Sequence, residues 1–139
     1  MADLDRQRAA DALDRVRMLQ EKGEKEYGNY VSFVKALPAV ILQNGLGQAL
    51  AAELASSGTG NDTKNGHKYL FHDVNQWLGR NDAMAPFPDQ YSEETGILDA
   101  LLKGKEAVYL QAQHEALAYV AWLKKFAVAL LIQPKGEPS

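Results

Sequence analysis

Few side chains in this sequence are of the kinds that do chemistry, and their spacings decide what each can do. His67 and His72 stand five apart, which on a helix points their rings to different sides and does not converge them on one metal ion. His114 and Glu115 are neighbours, so their side chains diverge by about 100° and cannot readily face each other as an acid–base pair. The sequence holds no GxxxxGK[ST] phosphate loop and no GxGxxG dinucleotide turn; Gly45 and Gly47 lie in a helical context with no strand before them. Ser56 and Ser57 fall in a polar run where no motif supplies a base. There is no cysteine, which removes a disulfide framework, a thiol nucleophile and any thiolate zinc site. The expectation is a protein that is not an enzyme, with no metal and no cofactor, whose titratable groups are solvated or held in exposed ion pairs.

The cations are better placed. Arg8, Arg15 and Lys22 recur every seven residues and so line one edge of a helix, where they are spaced to meet successive phosphates. Asp11 and Asp14 stand close to that edge, which favours an ordinary solvated face on this evidence alone. Lys124 and Lys125 interrupt a helix otherwise almost free of charge, and Lys124 shares an arc with Leu117, Val120 and Leu131. A lysine in that position must snorkel, pair with a carboxylate or meet an anionic partner. Trp77, Tyr119, Trp122 and Phe126 have faces able to stack on bases, but all sit in apolar neighbourhoods and read first as core.

The elements that must carry these residues are helical. A chain of 139 residues is the size of one domain and can bury a core without disulfides or a structural metal. Its formal charge of −3 argues against a free-standing nucleic-acid binder that works by bulk positive field. The amino terminus is charged every second or third residue and has no apolar core, so no secretory leader is expected. The longest apolar stretch, 116–132, carries Lys124 and Lys125 near its middle and reads as a buried helix, not a membrane span. A cytoplasmic location is the default.

Residues 2–26 form an amphipathic first helix through Ala9, Ala12, Leu13, Val16 and Leu19, weakened at Gly23 and stopped by Gly28 and Asn29. Tyr30 to Leu37 begin a second, and Pro38 predicts a kink or a new start. From Ala39 to about Ser56, Leu42, Leu46, Ala49, Leu50 and Leu54 make one stripe, with Asn44, Gln48, Ala51 and Ala55 nearly opposite. The run 56–66 predicts a mobile loop, and about His67 to Leu78 another helix facing inward through Leu70, Phe71, Val74, Trp77 and Leu78. The stretch 79–91, with Pro86 and Pro88, predicts a second loop, of a length more often functional or disordered than simply connecting. Ser92, with Glu93 and Glu94, resembles a cap for a short helix through Ile97, Leu98, Leu101 and Leu102 that ends at Gly104. A long helix, about Lys105 to Ile132, is apolar around most of its girth, with Gln111, His114, Glu115 and Lys125 as a narrow polar strip. Residues 133–139 read as a frayed tail. The expected fold is all-α, a single bundle of five to seven helices over residues 1–139.

The order of several segments carries a resemblance. Tyr27-Gly28, LPAVILQNGLGQALA from Leu37 to Ala51, Trp77-Leu78, and EALAYVAWLKKFA from Glu115 to Ala127 together resemble the small helical subunit of the type III-B CRISPR effector, the Cmr complex. The likeness spans about Arg8 to Ala129. It departs at Lys125, where that family usually has Arg, and at Ala52, where it often has an aromatic; the first loses a bidentate fork for phosphate. The resemblance implies a non-catalytic subunit that stacks in several copies along a filament of larger backbone subunits, with guide and target RNA in the groove between filaments and cleavage left to the backbone. It implies the other Cmr subunits, the guide–target RNA duplex and further copies of itself as partners, and no membrane. Lys124 and Lys125 match the family's basic pair and are the first candidates for RNA contact; Arg8, Arg15, Lys22 and Lys35 are added from placement. Asn44 and Gly45 match the NGL motif, and with Gln48 they are candidates for a subunit interface or a structural bend. A helical adaptor or dimerisation module without nucleic-acid contact stays open, as does a small hydrolase acting from His114 and Glu115.

Overall fold

The computed structural model describes residues 2–58, 62–91 and 94–132, and there the chain is helical with no strand. Seven helical segments follow in order: α1 Ala2–Lys22, the single turn α2 Glu24–Tyr27, α3 Tyr30–Asn44, α4 Leu46–Ser57, α5 Asp62–Leu78, α6 Gly96–Lys103 and α7 Glu106–Leu130. The all-α bundle with a long first and a long last helix is as the patterning predicts. α7 lies against α1 and α3, α5 lies against α3 and α4, and α6 closes one end against α4 and α7.

One apolar cluster joins these helices. Val16 of α1, Tyr30, Leu37 and Ile41 of α3, Leu46 and Leu50 of α4, Leu70 and Leu78 of α5, Ile97 and Leu101 of α6, and Tyr119 and Leu123 of α7 are all sealed from solvent. Each such side chain is worth roughly 1.5–3 kcal/mol of burial, which outweighs weak local preferences.

That excess explains where the helix boundaries differ from expectation. Pro38 does not restart the helix: α3 runs through it, with Leu37 and Ile41 buried in the core on either side. The break falls at Gly45, which takes φ 87° and ψ 157°. The predicted stripe is therefore split, and Leu42 is left 70% exposed. The first helix likewise ends at Lys22 and not near Glu26, since Gly23 takes φ 94°. Ser56 and Ser57 belong to α4 and residues 62–66 to α5, so these parts of the loop predicted over 56–66 are helical.

The stretch 79–91 is anchored to the bundle. Phe87 N–H donates to Leu78 C=O at 3.0 Å, Asp89 N–H to Arg80 C=O at 3.0 Å, and Ala85 and Phe87 are buried. The stretch is therefore packed on the bundle and is more than a simple connection. In α6 the helix starts after Thr95, and Leu102 points outward instead of in. The cap at Ser92 and Glu93 and the tail 133–139 lie outside the described residues.

Candidate functional site

Lys124 and Lys125 stand side by side on the exposed face of α7, while Leu123 and Ala127 on the same turns are buried. The helix period produces this: Leu123 and Ala127 fall on the inward face and the two lysines on the outward one. Neither forms an ion pair with a carboxylate among the described residues. Lys124 thus has no burial to escape. Lys125 Nζ lies 5.6 Å from the centroid of Trp122, whose ring stacks on Phe126 at 5.7 Å and 21°. Trp122 is oriented by its Nε1–H, which donates to Asp5 Oδ1 at 3.0 Å and holds that carboxyl below its usual range. The result is an ammonium pair beside a half-buried aromatic ledge, a surface suited to a phosphate backbone.

The other predicted cations divide. Arg8 is withdrawn from any such surface, a correction to its reading as a phosphate contact. Its Nε donates to Glu115 Oε2 at 2.7 Å and its Nη2 to Glu115 Oε1 at 2.8 Å, while Nη1 reaches Asp5 at 3.2 Å. Arg15 is mostly buried, with Nε 3.8 Å from Asp11 Oδ2. Lys22 is exposed, 6.0 Å above the Tyr69 ring. Lys35 is half-buried on α3 and is not free of partners.

Glu115 is the main feature the sequence concealed. It is buried, contrary to the expectation of solvated or surface-paired charges. Besides the Arg8 fork it accepts a hydrogen bond from Trp77 Nε1–H at 2.9 Å. Burial pushes its carboxyl up, but the bonds from Arg8 and Trp77 outweigh this and hold it below its usual value. Trp77 stacks on Tyr119 at 4.9 Å, nearly parallel, and the Arg80 guanidinium lies 3.6 Å from the Trp77 ring. Two phenols complete the polar core: Tyr119 Oη–H donates to Asp11, and Tyr30 Oη–H to Asp73 Oδ2 at 2.8 Å. With every oxygen of Glu115 engaged and His114 exposed beside it, the imagined acid–base pair is not assembled. The signal available in the sequence was a carboxylate in the middle of an apolar helix, with an arginine on the first helix to meet it.

Asn44, Gly45 and Gln48 lie at the α3–α4 junction. Asn44 and Gln48 are exposed, and the junction is clasped from α7. Leu46 N–H donates to Gln113 Oε1 at 2.9 Å and Gly47 N–H to Tyr109 Oη at 2.8 Å, so α7 side chains satisfy the opening amides of α4. A β-carbon at Gly45 would sit 3.0 Å from Tyr109 Oη. Three or more metal-ligating side chains come together nowhere among the described residues, and no described helix is long and apolar enough to cross a membrane.

Residues 4–130 match the family described as CRISPR-associated protein (Cas_Cmr5). The chain belongs to the Cmr5 family. The relative titled CRISPR system Cmr subunit Cmr5, from Thermus thermophilus, is 33% identical over 123 residues, covering 88% of this chain and 91% of that protein. The X-ray crystal structure of a CRISPR-associated Cmr5 family protein from the same organism has a TM-score of 0.66 and 31% identity, covering 90% of this chain and 94% of that one. The resemblance carried by the LPAVI, NGL and W-L-K-K-F-A segments is borne out as membership of the Cmr5 family, and the Cmr5 bundle as the fold.

Proposed function

We propose that this chain is the non-catalytic small subunit of a type III-B CRISPR effector, stacking along the backbone filament and helping to hold guide–target RNA for antiviral defence. The observation that carries the reading is the exposed Lys124 and Lys125 pair beside Trp122, unneutralised by any described carboxylate. Each copy contributes a weak contact, and repetition along a filament multiplies it. Arg15, Lys22 and Lys35 are secondary contacts, and Asn44, Gly45 and Gln48 belong to the subunit interface or to the bend that shapes it. The occupied state of Glu115 supports a protein that scaffolds and does not cleave.

The test is an electrophoretic titration of guide–target duplex against effector assembled with and without this subunit. Weaker retention and a shorter filament without it support the proposal. Unchanged binding and filament length leave the plain helical adaptor as the better account, and RNA cleavage by the purified chain that is lost in His114→Ala returns the hydrolase reading.

A further inference from the structure

A cleft of about 150 Å³ opens between α1 and α5, lined by Arg15, Met18, Lys22, Tyr69, His72 and Asp73. Its walls are unlike the exposed ridge on α7. Asp73 at the cleft is 4% exposed, and Arg15 Nε already lies 3.8 Å from Asp11 Oδ2, so an anion placed deep inside would compete with the Asp11 carboxylate for that guanidinium. Met18 and the Tyr69 ring supply apolar faces. The Tyr69 hydroxyl already donates to Glu26 Oε1 at 2.6 Å, and His72 Nδ1 is bonded to the Tyr91 hydroxyl at 2.6 Å, which fixes both rings as walls. Arg15 Nε is shut from water and has no hydrogen-bond acceptor. Such a donor is costly to leave unmade, so an acceptor entering the cleft that draws the guanidinium to it is favoured. Lys22, exposed, brings an ammonium able to meet a phosphate outside.

We propose that this cleft receives a single unstacked nucleobase bearing a ring carbonyl, with that carbonyl accepting from Arg15, the base face against Tyr69 and Met18, and the attached phosphate on Lys22. A neutral flat heterocycle satisfies the apolar walls, the spare donor and the buried carboxyl together, which a bare phosphate does not. Guanine, cytosine and uracil carry the carbonyl; adenine does not. Burial holds the Asp73 carboxyl up to about 7, so near neutrality it is not a fixed negative charge, in keeping with a neutral ligand. The base comes either from a splayed position in single-stranded RNA or from a free mononucleotide. The first source rests on the RNA-holding reading; the second does not.

The experiment uses the full chain with a ¹³C-methyl label on methionine, observed by NMR. Uridine, guanosine, cytidine and adenosine 5′-monophosphates, ribose 5-phosphate, and a short single-stranded RNA are titrated separately. The expected result is a saturable shift of the Met18 methyl with a dissociation constant of about 1 mM for the carbonyl-bearing nucleotides and no saturable shift with ribose 5-phosphate. Adenosine monophosphate binds about tenfold more weakly, as do carbonyl-bearing nucleotides to Arg15→Gln and to the surface variant Lys22→Ala. The double variant Lys124→Glu with Lys125→Glu binds them as the parent does, which separates this site from the α7 ridge. A larger Met18 response to the RNA than to free nucleotide assigns the ligand to RNA, and the reverse assigns it to the mononucleotide; either supports the site. No Met18 shift with any nucleotide, equal binding of adenosine monophosphate, or undiminished binding in both Arg15→Gln and Lys22→Ala overturns it.

Discussion

The Arg8 guanidinium grips the Glu115 carboxylate through two hydrogen bonds of 2.7 and 2.8 Å, joining positions 107 residues apart in the chain. Both side chains are about nine-tenths buried, and Trp77 Nε1–H completes the carboxylate's shell. This pair fastens α1 to α7 and fixes the Trp77–Tyr119 stack beneath them.

Breaking one side of that pair strands the other. Arg8→Met leaves a buried carboxylate without its fork and is expected to cost about 3–5 kcal/mol in chemical denaturation. The double change Arg8→Met with Glu115→Leu should recover much of the loss, because no unpaired charge remains. A single-variant loss under about 1 kcal/mol would show that the pair contributes little.

The α3–α4 junction makes a contrasting pair of predictions. Gly45→Ala places a β-carbon at φ 87° and 3.0 Å from Tyr109 Oη, and is expected to destabilise by about 1–3 kcal/mol. Pro38→Ala restores a helical N–H inside α3 and is expected to be neutral or stabilising by about 1 kcal/mol, since the gain is partly offset by a freer unfolded chain. Thermal melts of both variants check the order.

Asp73 should leave a mark on the pH dependence of stability. Its carboxyl is pushed by burial from 3.8 to about 7, against the hydrogen bond from Tyr30 and the nearby Arg15, which lower it. The folded state therefore holds a proton that the unfolded state releases between about pH 4 and 7. Stability from this group is fully present below pH 4 and is lost as pH rises to 7, with a slope on the order of 1 kcal/mol per unit. His72, lowered by burial and by Arg15, works in the opposite direction below its ordinary value of 6.5. Asp73→Asn keeps an acceptor for Tyr30, so subtracting its denaturation profile from the parent's at pH 4 to 8 isolates the Asp73 share.

The ridge on α7 gives the electrostatic prediction. Lys124→Glu with Lys125→Glu alters only exposed side chains, so the melting temperature of the isolated chain should hold within the few degrees expected of surface changes. Duplex retention by the assembled effector should weaken, and the slope of log affinity against log salt should become shallower by about one per lost phosphate contact. An unchanged salt slope would move the RNA contact elsewhere.

Much was readable from residues alone. The 3.6-residue periodicity marked every long helix, and the inward faces of α5 and α7 were legible through Leu70, Val74, Leu78, Ala116 and Leu123, because amphipathicity is written within two or three turns. So was the absence of a familiar catalytic motif. Boundaries were less so: Pro38 outranks Gly45 as a local helix breaker, yet the chain bends at Gly45. Local preference of a few kcal/mol yields there to Leu37 and Ile41 in the core, while Tyr109 and Gln113 reach across from α7 to hold the freed amides.

The residues themselves determined a helical bundle with lysines on an otherwise apolar final helix, since both follow from composition and period. Only the tertiary structure decided which charges are neutralised. Arg8 and Lys124 look alike as cations on helices, but one meets a carboxylate brought 107 positions along the chain and the other faces solvent. Such pairings depend on how helices pack, and that packing is set by the summed burial of side chains distant in sequence.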